Sequence, residues 1–80
     1  MIYKLLLGKR KAEQYIRDLD RAFRDLSNGS VEGRNCNDIR HELMCYRVVS
    51  HIVFYRSTAS GIAVVRVLHK SMDYVRYFSL

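Results

Sequence analysis

The chain lacks proline, internal repeats and low-complexity stretches, and its apolar runs are far shorter than a membrane-spanning helix. Such a helix needs about 20 consecutive apolar residues. The first residues, Met1–Gly8, also lack the basic start and full-length apolar core of a secretory signal. We therefore expect a single domain over residues 1–80 that acts in the cytoplasm, with no membrane attachment.

Cysteine is scarce as well. The only two, Cys36 and Cys45, do not have the close spacing of CxxC zinc or redox motifs. A zinc site would have to add His41 and His51, but Cys45 and His51 are expected in opposite strands of a hairpin. Cytosolic cysteines are usually reduced. The sequence therefore predicts partly buried free thiols, with neither a metal ion nor another cofactor.

Acidic residues are outnumbered. The chain has 14 Lys and Arg against 8 Asp and Glu, which gives a net charge of +6. A positive domain attracts polyanions, meaning nucleic acid or an acidic protein segment. Hydrophobic residues make up 49% of the chain, which excludes disorder as its main state. A domain this small buries only about 60% of its unfolded surface, so a stabilising partner or a homodimer is physically reasonable.

One amphipathic helix is predicted over residues 9–27. Its apolar residues recur at three- and four-residue steps and share one face. They are Ala12, Tyr15, Ile16, Leu19, Ala22, Phe23 and Leu26. The opposite face offers the ion pairs Glu13 to Arg17 and Asp20 to Arg24. Asn28 and Gly29 end the helix.

The segment after the helix, residues 29–42, has no sustained period and is predicted as a loop. Two alternating strands are predicted at Leu43–Val49 and Ile52–Arg56, with Ser50 and His51 as the tight turn between them. Ser-His is not a preferred turn pair, so the register of this hairpin stays open.

A third strand is predicted at Ile62–His69, after a turn at Gly61. Its near-continuous apolar character favours a central or two-sided position in the sheet. The tail, residues 72–80, is predicted as a short helix or strand. One helix covers only one face of such a sheet, so we expect a partner chain, a second protomer or a docked peptide on the other face.

Several short segments, in this order and at these spacings, resemble the RelE/ParE superfamily of toxins from type II toxin–antitoxin systems, and the ParE-like branch most. The resemblance covers roughly residues 9–73. It rests on Ala12, Tyr15, Ile16 and Leu19, then Gly33 and Arg34, Ile39 and Arg40, His51–Arg56, Gly61 and Ile62, Arg66–His69, and Met72 with Asp73.

The resemblance implies an α+β toxin in which a helical hairpin packs on a twisted antiparallel sheet of at least three strands. A cognate antitoxin wraps around such a toxin and usually represses their shared operon, as in plasmid stabilisation systems. ParE-like members inhibit DNA gyrase, whereas RelE-like members cut messenger RNA on the ribosome. The family normally begins with a strand and a full helix, so Met1–Gly8 is expected to be the end of that first helix or a remnant strand. Either the start codon is misplaced or the chain is an N-terminally shortened member.

The ribonuclease activity and the inhibition of gyrase would depend on different residues. A ribonuclease needs a cationic stabiliser for the phosphorane and groups that move protons. Arg56 and Arg66 would supply the charge, with His69 and Tyr74 as acid, base or stacking partner. The alternative role of Arg66 is an ion pair with a carboxylate such as Asp73.

Inhibition by binding needs no catalytic residues, only a contact surface. The candidates are the arginines and the aromatic tail: Arg40, Arg47, Arg76, Tyr77 and Phe78. We expect a ParE-like toxin that binds gyrase, is neutralised by an antitoxin and forms a hetero-oligomer with it. The alternatives are a RelE-like nuclease acting on the ribosome and its mRNA, and a truncated, inactive toxin that still binds antitoxin.

Overall fold

The fold is α+β, as predicted. The computed structural model describes residues 9–78. In chain order it contains helix α1 (Lys9–Asn28), strands β1 (Arg34–Asn35), β2 (Met44–Val48), β3 (His51–Thr58) and β4 (Gly61–His69), and the short helix α2 (Tyr74–Phe78). The strands form one antiparallel sheet in the order β1-β2-β3-β4. The predictions for residues 1–8 and 79–80 lie outside the described residues.

Helix α1 confirms the predicted helix to within one residue. Ala12, Tyr15, Ala22 and Leu26 are buried, because the three- and four-residue steps bring them to the face that packs on the sheet. Ile16 was expected on the same face, but it is 43% exposed. It lies at the flank of the apolar stripe, so a place on the stripe does not bury this side chain.

The polar face of α1 is held by neighbouring turns of the helix. Arg24 pairs with Asp20 as predicted. The other predicted pair is replaced, because Arg17 donates to the Oε1 atom of Gln14 at 3.2 Å rather than pairing with Glu13. Helix α1 ends where Gly29 adopts a φ of 81°.

The β2–β3 turn differs from its prediction by one residue. Val48 pairs with His51, so Val49 and Ser50 form the turn and His51 begins β3. Val49 has a φ of 55°, which a β-branched residue rarely adopts. This unfavourable conformation explains why the sequence pattern favoured Ser50 and His51 instead.

The predicted loop over residues 29–42 contains one short strand. Arg34 pairs with Cys45 and Asn35 with Met44, which adds β1 to the free edge of β2. A two-residue strand carries no alternation that a sequence pattern could reveal.

Strand β4 lies at the edge of the sheet, and β3 is central, so the central position predicted for Ile62–His69 is wrong. Val64 and Val65 remain 44% and 39% exposed. The pairing of β3 with β4 shifts register between Phe54 and Tyr55, which leaves an extra residue in β4. Strand β4 therefore has a continuous apolar run although it is not buried on both faces.

The two faces of the sheet carry separate apolar clusters. On the α1 face, Ala22 and Leu26 pack with Val48, Val53 and Tyr55. Because side chains alternate along a strand, the neighbouring residues of β2 and β3 point to the other face.

That other face was expected to need a partner, but the chain covers its centre itself. The cluster there contains Leu43, Cys45 and Phe54 of the sheet region, Cys36 of the loop, and Phe78 of α2. Helix α2 folds back over the sheet, and the phenyl rings of Phe54 and Phe78 lie 4.9 Å apart. The prediction of an external cover is therefore wrong for the centre of the sheet.

The cysteines are joined rather than reduced. Cys36 and Cys45 form a disulfide between the loop and β2, and both are buried. The prediction of free thiols is therefore wrong. It relied on the reducing conditions of the cytosol, whereas the pairing of β1 with β2 brings Cys36 beside Cys45.

Candidate functional site

The outer side of α2 carries an exposed basic and aromatic surface. Met72, Asp73, Arg76 and Tyr77 line an open groove of about 540 Å³. The guanidinium of Arg66, on β4, lies over the ring of Tyr77 at 5.5 Å from its centroid. The backbone N–H of Arg76 donates to the carboxylate of Asp73 at 3.4 Å, which places this acid at the start of the helix. Arg66 therefore contacts an aromatic ring, with no ion pair to Asp73.

Arg40 and Phe78, two of the predicted contact residues, are engaged with each other. The guanidinium of Arg40 donates to the backbone carbonyl of Phe78 at 3.1 Å and covers its ring at 5.2 Å from the centroid. Phe78 is buried, with 8% of its surface exposed. This pair therefore secures α2 against the loop, whereas Arg76 and Tyr77, the other two predicted contact residues of the tail, are exposed.

Arg47 lies in β2, beside the β2–β3 turn. It is exposed, and its Nε–H donates to the carbonyl of Val49 at 2.9 Å. Val49, at 67%, is the most exposed of the large apolar side chains in residues 9–78. Sequence reasoning did not single out Val49, because it read this residue as the end of a strand.

Three of the four candidate nuclease residues share the α2 face of the sheet. Arg66 pairs with Phe54, whose ring contacts Tyr74 at 5.6 Å between centroids. Arg56 lies two residues beyond Phe54 and hence on the same face. Its guanidinium donates to the carbonyl of His41 at 3.4 Å.

His69, the one histidine in that set, lies on the opposite face. It pairs across the strands with His51, and the two imidazoles meet edge to face at 5.2 Å. His51 in turn stacks on Tyr15 of α1 at 4.4 Å. The sheet therefore stands between His69 and the arginines, and the four residues do not converge on one phosphate.

Both imidazoles are held by structural contacts. The Nδ1 atom of His69 lies 2.7 Å from the hydroxyl of Ser71 and accepts the Ser71 backbone N–H at 3.1 Å. Burial lowers the pKa of His51 from its ordinary value of 6.5, and the charge of His69 lowers it further. His51 is thus suited to remain neutral and packed against Tyr15.

No metal-binding group was recognised in residues 9–78: no three His, Cys, Asp or Glu side chains are arranged to hold an ion. No helix in this part of the chain is long and apolar enough to cross a bilayer.

Comparison with known proteins identifies the family. The sequence model described as the ParE toxin of type II toxin–antitoxin systems, parDE, matches residues 2–74. The chain is also 43% identical over 67 residues to Toxin ParE1 from two strains of Mycobacterium tuberculosis, a match that covers 82% of this chain and 68% of each relative. The chain therefore belongs to the ParE toxin family of type II toxin–antitoxin systems.

Proposed function

We propose that this toxin inhibits DNA gyrase by binding it and that a cognate antitoxin neutralises the inhibition. The observation that carries the proposal is the separation of His69 from Arg56, Arg66 and Tyr74 by the sheet. Phosphodiester cleavage requires charge stabilisation and proton transfer at the same phosphate. A toxin without such a convergence acts through its surface.

The surface available for this binding is basic and partly aromatic. Arg47, Arg76 and Tyr77 are exposed, and Arg66 is stacked on Tyr77. Stacking holds the guanidinium in place, so less side-chain freedom is lost when it meets an acidic group. Arg40 supports this surface indirectly, because it holds the end of α2 through Phe78.

The antitoxin partner is expected along β4. This strand is at the edge of the sheet and carries the exposed Val64 and Val65. An extended segment can add to such an edge through main-chain hydrogen bonds. Acidic residues in that segment would be attracted by the net charge of +6.

The activity is tested by expressing the chain from a tight promoter and recording which damage comes first. Gyrase inhibition predicts DNA breaks, induction of the SOS response and filamentation, together with loss of supercoiling by purified gyrase. Rapid arrest of translation with cleaved messages would instead indicate the nuclease. A normal growth rate with a stable antitoxin complex would indicate an inactive toxin, and either result would refute the proposal.

His69→Ala is the informative variant in the same assay. If the protein acts by binding, this change leaves gyrase inhibition intact once folding is verified by circular dichroism. A loss of toxicity in a folded His69→Ala protein would favour a catalytic role for the imidazole. Tyr77→Ala provides the complementary comparison, because it removes an exposed ring of the proposed contact surface and is expected to weaken inhibition.

A further inference from the structure

Val49, in the β2–β3 turn, is unfavourable for two reasons: its apolar side chain is exposed and its backbone is strained. Val49 is 67% exposed, and its φ of 55° lies in the left-handed region. A positive φ at only the first of two turn residues is typical of a type II′ turn, which favours glycine there. Asn or Gly would relieve the backbone strain, and any polar residue would avoid the exposure.

The surrounding structure holds this turn rigidly. The Nε–H of Arg47 donates to the carbonyl of Val49 at 2.9 Å, and the backbone N–H of Lys70 donates to the carbonyl of Ser50 at 2.8 Å. Both turn carbonyls are therefore fixed. A strained residue that is held in this way is often part of a binding or catalytic device.

The turn also forms one wall of an open cleft of about 220 Å³ against α1. The cleft is lined by Asp18, Arg21, Ala22 and Asp25 of the helix and by Tyr46, Arg47, Val48 and Val49 of the hairpin. Both signs of charge are present, and two carboxylates face the cleft. The two carboxylates offset the two arginines, and Val49 offers a phosphate nothing, so this surface has no net positive charge with which to attract nucleic acid.

We propose that Val49 is an apolar anchor that inserts into a pocket on the gyrase polypeptide rather than on gyrase-bound DNA. This inference rests on the proposed function and names the contact that delivers it. The complementary pocket is apolar, with an acidic group at its rim to meet Arg47. A rigid tip loses little conformational freedom on binding, which favours affinity. The backbone strain at Val49 is thus tolerated because the turn presents this side chain to gyrase.

The test compares the binding of full-length toxin variants to purified gyrase without DNA. Val49→Asn removes the apolar side chain and suits the positive φ, so it should melt about 4–8 °C higher while binding roughly tenfold to a hundredfold more weakly. Val49→Thr keeps the β-branched shape and the strain, so it should bind more weakly without the gain in melting temperature. Ile16→Gln removes an exposed apolar residue from α1 and should bind like the wild type.

The outcomes separate the inference from the proposed function. Weak binding by both Val49 variants, with wild-type binding by Ile16→Gln, supports the anchor. Binding of Val49→Asn with wild-type affinity overturns the anchor and leaves gyrase inhibition standing. Binding of the wild type only when DNA is present also overturns it. If the wild type binds gyrase in neither condition, the proposed function and the anchor both fail.

Discussion

The guanidinium of Arg40 holds the last residue of the described chain, Phe78, by two contacts at once. It donates to the Phe78 carbonyl at 3.1 Å and lies 5.2 Å from the centre of its ring. A helix of five residues is too short to be stable alone. Helix α2 therefore depends on this contact and on the burial of Phe78 against Phe54.

Replacing Arg40 by alanine should loosen α2. The loss of a charge-assisted hydrogen bond and of a cation–π contact predicts a destabilisation of about 1–2 kcal/mol. Urea denaturation followed by circular dichroism measures it. Arg34→Ala, which removes another exposed arginine, is the control and should change stability by less than about 0.5 kcal/mol. Equal stability of the Arg40→Ala and wild-type proteins would show that α2 does not depend on this contact.

The sequence allowed the helix and strands β2 to β4 to be predicted, because α1 has the period of a helix, β2 and β3 alternate, and β4 is a short apolar run after the turn at Gly61. The two hairpins that join β2, β3 and β4 could also be predicted, but the edge position of β4 and the presence of β1 could not. The apolar run at residues 62–69 suggested a central strand, but a run of valines is equally compatible with an exposed edge. Strand β1 was invisible, since two residues carry no period and its pairing depends on the disulfide region around Cys36.

For the candidate site as well, the residue types could be predicted from the sequence, but not all of their positions. The arginines and His69 could be named from the sequence, because charged residues and a histidine in apolar strands are conspicuous. Arg66 and His69 lie three residues apart in β4, so strand alternation alone places them on opposite faces. The face of Arg56 relative to Arg66 depended on the register of β3 with β4, which includes a bulge. Val49 was missed because a β-branched residue is the last one expected in a tight turn.

The disulfide predicts a measurable dependence of stability on reductant. Cys36 and Cys45 are 9 residues apart, and closing a loop of this size restricts the unfolded chain by about 2–3 kcal/mol. Adding dithiothreitol, or replacing both cysteines by serine, should lower the free energy of unfolding by roughly that amount. Thiol titration of the denatured protein provides the check, because two free thiols before reduction would mean that the bond does not form.

The close packing around Gly33 predicts that a side chain at this position would clash with its neighbours. A Cβ atom there would lie 2.8 Å from the carbonyl oxygen of Cys45 and would collide with the hydroxyl of Tyr55. Gly33→Ala should therefore force β1 away from β2 and lower the melting temperature. Gly29→Ala is the comparison, since a Cβ at Gly29 meets open space and only the positive φ opposes it. A wild-type melting temperature for Gly33→Ala would contradict the close approach.

The hydrogen bond between Gly33 and the hydroxyl of Tyr55 can be tested as well. The hydroxyl accepts the Gly33 backbone N–H at 2.9 Å, and burial raises the pKa of Tyr55 above its ordinary value. Tyr55→Phe leaves this half-buried N–H without its acceptor, which predicts a loss of about 1–2 kcal/mol in chemical denaturation. Tyr46→Phe, on the same face of the sheet, should lose less. Similar losses in the two variants would mean that the Gly33 hydrogen bond contributes nothing specific.

The histidine pair predicts the sign of the pH dependence of stability. Burial lowers the pKa of folded His51 below 6.5, with a contribution from the charge of His69. The unfolded chain therefore binds a proton at His51 before the folded chain does. The stabilisation is fully present above pH 6.5 and is lost as the pH falls through the lowered pKa of the folded protein.

Thermal denaturation between pH 7.5 and pH 5 measures this loss, and His51→Gln gives the control. The glutamine variant cannot titrate at that position, so its melting temperature should fall less over the same interval. His69→Gln should give an intermediate slope, because it removes the neighbouring charge and leaves the burial of His51 against Tyr15. A His51→Gln protein that loses as much stability as the wild type would assign the pH dependence to other groups.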